Sequence, residues 1–170
     1  SMTPGPLQLG TVWLPLPHLL MAPFAARDEW WKSGLAGAIP SAACFVIAGS
    51  FLFAAARRVF ESDAAGAVAL ALFALNPNVL YLQSTPMSEP VFWAAQMATL
   101  YYTVRAGENA WPTKTSVASQ TTGVLVGQEF SPALISHSLR YACFAGLACM
   151  AGTLARYDGW VLVPAVALYF

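Results

Sequence analysis

The sequence contains few charged residues for its length. Asp, Glu, Lys and Arg make up 9% of its 170 residues, whereas about 25% is usual in a soluble globular domain. Eight Lys and Arg balance eight Asp and Glu, so no basic surface favours nucleic acid as a partner. Hydrophobic residues make up 58% of the chain, and the mean hydropathy is +0.57. These values predict an integral membrane protein.

Cysteine is also scarce, and a secretory leader is not recognisable. Cys44, Cys143 and Cys149 lie in apolar runs without CxxC or Cys/His spacing, which indicates packing residues rather than metal ligands. The first ten residues lack the basic and apolar regions of a signal peptide. The last apolar run, residues 160–170, is shorter than the roughly twenty residues of a membrane span. We therefore expect a fragment, incomplete at both ends.

Long apolar runs separated by polar turns predict an all-α, polytopic transmembrane helical bundle. Residues 1–33 are predicted to be an extracytoplasmic loop, with a short interfacial helix where Pro15, Pro17 and Pro23 prevent a span. The other predicted segments are transmembrane helices at 34–60, 64–84 (broken), 88–106 and 133–155, a polar cytoplasmic loop at 107–132, and an incomplete transmembrane helix at 160–170.

The most informative stretch is Asn76–Pro90, NPNVLYLQSTPMSEP, between two apolar runs. Pro77 lacks an N–H and clashes with the preceding turn, so it should break the second span. Such a break should face protein or water rather than lipid. Glu89 is expected in the first turn of the next helix, where the helix dipole favours a carboxylate. An ionisable group beside a broken membrane helix also often marks a site.

The distribution of Lys and Arg predicts the orientation. If the turn after the first span is cytoplasmic, five of the eight basic residues lie on that side. The turn at Glu89, the segment around His18 and the turn Arg156–Asp158 then share the non-cytoplasmic face. We therefore expect the candidate site to face away from the cytoplasm.

Polar side chains on this face are the candidates for substrate binding. Glu89 and Asp158 could act as general base or metal ligand, and Arg156 could bind a phosphate. Simpler interpretations remain open: a local ion pair in the Arg156–Asp158 turn, an interfacial role for His18, and a helix cap for Glu89. The full set of candidates is Glu89, Asp158, Arg156, His18, Gln83 and Tyr157.

Three stretches also carry a family resemblance: LNPNVLYLQSTPMSEPVF (Leu75–Phe92), ARYDGWVLVP (Ala155–Pro164) and QLGTVWLPLPHLLMAPF (Gln8–Phe24). They resemble integral-membrane glycosyltransferases of the GT-C superfamily. The resemblance is greatest to the bacterial branch that is similar to dolichyl-phosphate-mannose–protein mannosyltransferases, and it implies a location in the bacterial plasma membrane. The first stretch is the most specific of the three, and the other two support it.

The resemblance implies that a sugar moves from a polyprenyl phosphate to an extracytoplasmic acceptor, with inversion at the anomeric carbon. Cationic side chains, or a divalent metal in some members, stabilise the departing phosphate. The usual catalytic Asp lies early in the first extracytoplasmic loop, which we expect upstream of Ser1, and Asp28 does not take its place. Glu89, Arg156 and Asp158 match motif positions and are expected to contact the lipid-linked sugar. The fragment alone is expected to be inactive.

A polytopic transporter or a non-enzymatic membrane scaffold is the alternative. Broken helices also mark transporter binding sites. A transporter site lies near the middle of the bilayer, and an inverted second copy of the broken helix often accompanies it. The features described above should instead lie at the membrane boundary, and the sequence shows no second copy.

Overall fold

The computed structural model describes residues 15–110, 132–156 and 162–169. Within these ranges every regular element is a helix and no strand occurs, which confirms the all-α class. The helices are α1 (Pro15–Ala25), α2 (Asp28–Ser33), α3 (Leu35–Val59), α4 (Asp63–Ala74), α5 (Pro77–Gln83), α6 (Glu89–Ala110), α7 (Pro132–Ala155) and α8 (Leu162–Tyr169).

Two of the described helices are long and apolar enough to cross a membrane. They are α3 and the part of α7 from Ser138 to Ala155, and α4 with α5 makes a third if a bent pair counts as one span. The first two segments fall within the predicted ranges 34–60 and 133–155. The bent pair runs from Asp63 to Gln83 and so begins one residue before the predicted range 64–84. Their length and composition indicate a membrane-associated protein.

Helix α6 begins one residue later than the predicted segment 88–106 and continues to Ala110, into the predicted loop 107–132. It is not among these candidate spans. It packs against both α3 and α7, which scarcely touch each other. Its buried face includes Thr99, whose hydroxyl donates to the carbonyl of Ala95 at 2.8 Å. A helix that lies between two others need not be as apolar as one that faces lipid. This position explains why α6 carries polar side chains such as Gln96.

The order of contacts shows how the three long helices run. Phe51 of α3 contacts the rings of Tyr101 and Tyr102 late in α6, with centroids 5.5 and 5.6 Å apart. Arg105 of α6 donates to the hydroxyl of Tyr141 in α7 at 2.7 Å. Helices α3 and α6 are therefore parallel, and α7 is antiparallel to both. We call the end where α6 begins the Glu89 end and the opposite end the Arg105 end.

The chain runs back from the Arg105 end to the Glu89 end through the broken helix α4–α5. The two helix axes differ by 67°, and the break lies at Asn76–Pro77, as the sequence predicts. Asn76 Oδ1 accepts the N–H of Asn78 at 3.0 Å and so caps α5. Pro77 is the first residue of α5. An N–H at this position has no partner within the helix, so its absence costs no hydrogen bond.

Helix α1 packs across the Glu89 end. Leu16 packs against the buried cluster of Val91, Phe92 and Ala155, and α1 as a whole contacts mainly α3 and α7. Trp30 in α2 stacks on Phe24 at 6.2 Å between ring centroids. The predicted interfacial helix is thus described from Pro15 onward, as α1. Residues 1–14 lie outside the described part, as do residues 111–131 of the predicted cytoplasmic loop.

The loop between α5 and α6 is held against α3 at Gly37. A β-carbon at position 37 would overlap the ring of Pro86 and lie 2.7 Å from its Cα. The same β-carbon would lie 3.0 Å from the sulfur of Met21 in α1. Glycine therefore allows three segments to meet at one point, as small residues do at helix contacts in membranes.

We expect Gly37→Ala to destabilise the fold. The extra methyl group forces Pro86 away from α3, and overpacking of this kind costs about 1–3 kcal/mol. Gly146→Ala is the matched control, because Gly146 is also helical and nothing lies within 4 Å of its added β-carbon. That control should gain about 0.5–1 kcal/mol from helix propensity. Titration with SDS in mixed micelles, followed by circular dichroism, measures both; equal stability of the two variants would contradict the contact.

Candidate functional site

The site is built on the turn that leads into α6. The hydroxyls of Ser84 and Thr85 donate to the carbonyls of Tyr81 and Leu82 at 2.7 and 2.8 Å, which closes the end of α5. The chain then turns past Pro86, and α6 begins at Glu89.

The first turn of α6 is well fixed. The N–H of Phe92 donates to the carbonyl of Ser88 at 3.1 Å, as expected for a residue at the helix cap. Pro90 is fully buried. Glu89 therefore stands on a rigid support between two prolines.

Arg156 directly follows the last residue of α7. Its backbone N–H donates to the carbonyl of Gly152 at 3.0 Å, which continues the hydrogen bonding of the helix by one residue. The preceding residue, Ala155, is 3% exposed and packs against Val91 and Phe92 in the first turn of α6. This apolar contact brings the end of α7 beside the beginning of α6.

Glu89 and Arg156 form an ion pair across the two helices. Arg156 Nη1 donates to Glu89 Oε1. The side chains are 26% and 33% exposed, respectively, so the pair is partly sheltered from water. Glu89 Oε2 is buried and accepts no hydrogen bond within the described part of the chain. The carboxylate therefore retains the capacity to accept a hydrogen bond.

The structure brings together two of the six predicted site residues. Glu89 and Arg156 are in direct contact. His18 lies half-buried on α1, which packs at the same end, and Gln83 is the half-buried last residue of α5. Tyr157 and Asp158, the two remaining candidates, lie outside the described residues.

Sequence reasoning did not identify the partner of Glu89. It considered a helix-dipole role for Glu89 and a local ion pair for Arg156, whereas the structure joins them over a separation of 67 residues. A signal was available in the sequence. Glu89 begins one predicted span and Arg156 follows the end of the next, so two opposite charges stand at the same depth on adjacent antiparallel segments.

A metal centre is not formed by the residues that the structure describes. No group of three or more His, Cys, Asp and Glu side chains is placed to hold an ion there. Within that part of the chain, Glu89 has a guanidinium beside it rather than further ligands. The geometry thus gives Glu89 the role of an ion-pair partner and hydrogen-bond acceptor.

The pair can recognise a ligand that has both an anionic group and hydroxyl groups. A guanidinium presents donors in a planar fork that suits phosphate, and the carboxylate accepts from hydroxyls. No protein-family model matches the chain, and no curated protein or solved structure is significantly similar to it.

We expect a measurable energetic coupling between Glu89 and Arg156. A double-mutant cycle with Glu89→Gln and Arg156→Gln should give about 1–2 kcal/mol, between the values typical of exposed and buried pairs and allowing for screening by water. Unfolding in mixed micelles provides the free energies.

The matched control is the ion pair of Arg57 and Asp63. Its atoms Nε and Oδ1 are 2.6 Å apart, but its side chains are 58% and 77% exposed. Its coupling should be below about 0.5 kcal/mol. Equal couplings for the two pairs would show that shelter from water does not strengthen the contact of Glu89 with Arg156.

Proposed function

We propose that the chain is part of a GT-C-type membrane glycosyltransferase that transfers a sugar, in the manner of a hexosyltransferase, from a polyprenyl phosphate to an extracytoplasmic acceptor. The observation that carries the proposal is the contact between Glu89 and Arg156 at the end of the bundle. Both residues stand in the motifs on which the resemblance rests. We place the enzyme in the bacterial plasma membrane, with the Glu89 end on the non-cytoplasmic side.

Arg156 is the residue that we assign to the lipid phosphate. It follows directly after Ala155, the last residue of a helix that is long and apolar enough to span a membrane. A guanidinium at this level meets the phosphate of a membrane-anchored donor without entering the hydrocarbon. Glu89 holds the guanidinium in place on one side. The Arg156 side chain therefore loses less conformational entropy when it binds the phosphate.

Glu89 is the residue that we assign to the sugar. Its buried Oε2 can accept a hydrogen bond from a sugar hydroxyl while Oε1 remains with Arg156. This role is recognition of the donor, and no residue of the chain is assigned as the catalytic base. Gln83 and His18, at the same end, are assigned to further polar contacts with the substrate.

The depth of the pair favours a transferase over a transporter. A transporter holds its substrate near the middle of the bilayer, where helices are interrupted. Here the charged pair lies at the first residue of α6 and just after the last residue of α7. That position suits a reaction at the membrane boundary, with one substrate in the lipid phase and the other in water.

The test is binding of a polyprenyl-phosphate hexose to the chain in lipid nanodiscs. We expect Arg156→Gln to weaken binding about tenfold or more, because a hydrogen bond between charged groups is worth about 1.5–3 kcal/mol. Glu89→Gln should weaken binding less, since it removes the orienting carboxylate charge but leaves the cation. Retention of labelled donor on the nanodiscs measures the affinity.

Two controls make the result specific. Arg140→Gln removes the same charge from an exposed position on α7, the helix that Arg156 follows, and this variant should bind as the wild type does. The unphosphorylated polyprenol should bind weakly and equally to all variants. Wild-type affinity in Arg156→Gln, or equal binding of polyprenol and the phosphorylated donor, would refute the assignment.

A further inference from the structure

A polar pocket lies at the Arg105 end, at the turn between α3 and α4. Its lining contains two cations and two carboxylates, from Arg57, Arg58, Glu61 and Asp63, and the apolar ring of Phe53. Arg57 Nε lies 2.6 Å from Asp63 Oδ1. The guanidinium carbon of Arg58 lies 5.6 Å from the ring centroid of Tyr101 on α6. The Arg58 side chain therefore lies against α6.

The backbone of this turn is unusual at Glu61. Its φ is +51°, a left-handed conformation that glycine usually adopts after a helix end. The N–H of Ser62 donates to the carbonyl of Arg57 at 3.1 Å, and the N–H of Glu61 donates to that of Arg58 at 3.3 Å. A side chain with a β-carbon is strained there. The turn thus carries a carboxylate at a position where glycine would be less strained, and strain of this kind often accompanies a site.

An apolar groove continues from the pocket along α3 and α4. It is lined by Phe45, Val46, Gly49, Phe53 and Leu70, among others, and Phe53 lines both the pocket and the groove. From residue 45 to residue 53 a helix rises about 12 Å. The pocket and the groove together therefore form one amphipathic surface on a helix that can span the membrane.

We propose that this surface binds a phospholipid with a zwitterionic amino headgroup, of the phosphatidylethanolamine class. The lipid phosphate lies against Arg57 and Arg58, the ammonium group lies against Glu61 and Asp63, and one acyl chain fills the groove. The balance of charge selects this class. Arg57 is paired with Asp63, so a phosphate that binds Arg57 competes with that carboxylate. A headgroup with only a phosphate would therefore leave Glu61 and Asp63 without a cation, whereas an ammonium group supplies one.

The level of the pocket agrees with this occupant. Helix α3 ends at Val59, and the pocket begins within its last turns, so the charged groups lie where headgroups meet the hydrocarbon. The pocket is at the opposite end of the bundle from Glu89. The proposal is therefore independent of the proposed function, and neither test decides the other.

Native mass spectrometry tests the proposal directly. The chain, in detergent, receives an equimolar mixture of phosphatidylethanolamine, phosphatidylcholine and phosphatidylglycerol with matched acyl chains. We expect phosphatidylethanolamine to be retained about threefold more than either competitor, as one partly exposed ion pair would give. Phosphatidylcholine has no N–H donor for the carboxylates, and phosphatidylglycerol has no cation.

The double variant Glu61→Gln with Asp63→Asn should lose this preference and retain phosphatidylglycerol best, because only the arginines remain charged. Arg140→Gln is the control and should keep the wild-type preference. Ser50→Phe, at an exposed position in the groove, should lower retention of all three lipids without changing their order. Circular dichroism verifies that each variant is folded.

Three results would overturn the proposal. They are equal retention of the three lipids by the wild type, preference of the wild type for phosphatidylglycerol, and an unchanged preference in the double variant. Unchanged lipid retention in Ser50→Phe would show that the acyl chain does not occupy the groove.

Discussion

The structure depends on how closely α6 fits between α3 and α7. Buried alanines line these contacts, including Ala95, Ala98 and Ala106 on α6 and Ala145 on α7. In a membrane, lipid tails are as apolar as leucine, so helices associate through close packing rather than through the exclusion of water. Small side chains allow that closeness. The loop before α6, the contact of Leu16 and the ion pair of Glu89 all take their positions from this packing.

Two ion pairs of the same chemistry in this bundle differ in their exposure to water. Arg57 and Asp63 are mostly in water and belong to one local turn. Glu89 and Arg156 join two helices and are partly withdrawn from water. Partial shelter raises the effect of each charge on its partner, but it also leaves enough access for a ligand. An ion pair of intermediate exposure is therefore suited to recognition, whereas a fully buried pair would mainly specify the fold.

The sequence allows prediction of those features that depend on local chemistry. The helix break follows from Pro77 alone, because proline cannot continue a helical hydrogen bond. The apolar character of α3 and α7 follows from composition. The central position of α6 does not follow, since hydropathy reports the average surroundings of a segment and not its neighbours. The contact of Glu89 with Arg156 spans 67 residues and needs the packing of Ala155 against α6, which no local pattern encodes.

The absence of a side chain at Gly37 restricts which mutations this protein can tolerate. Position 37 is on α3 and carries no charge, yet Pro86 rests on it and stands three residues before Glu89. A larger residue there would displace the carboxylate relative to Arg156 without touching either. The permitted residues at positions 37 and 86 are thus mutually dependent, and a change at one is best tolerated when the other changes with it.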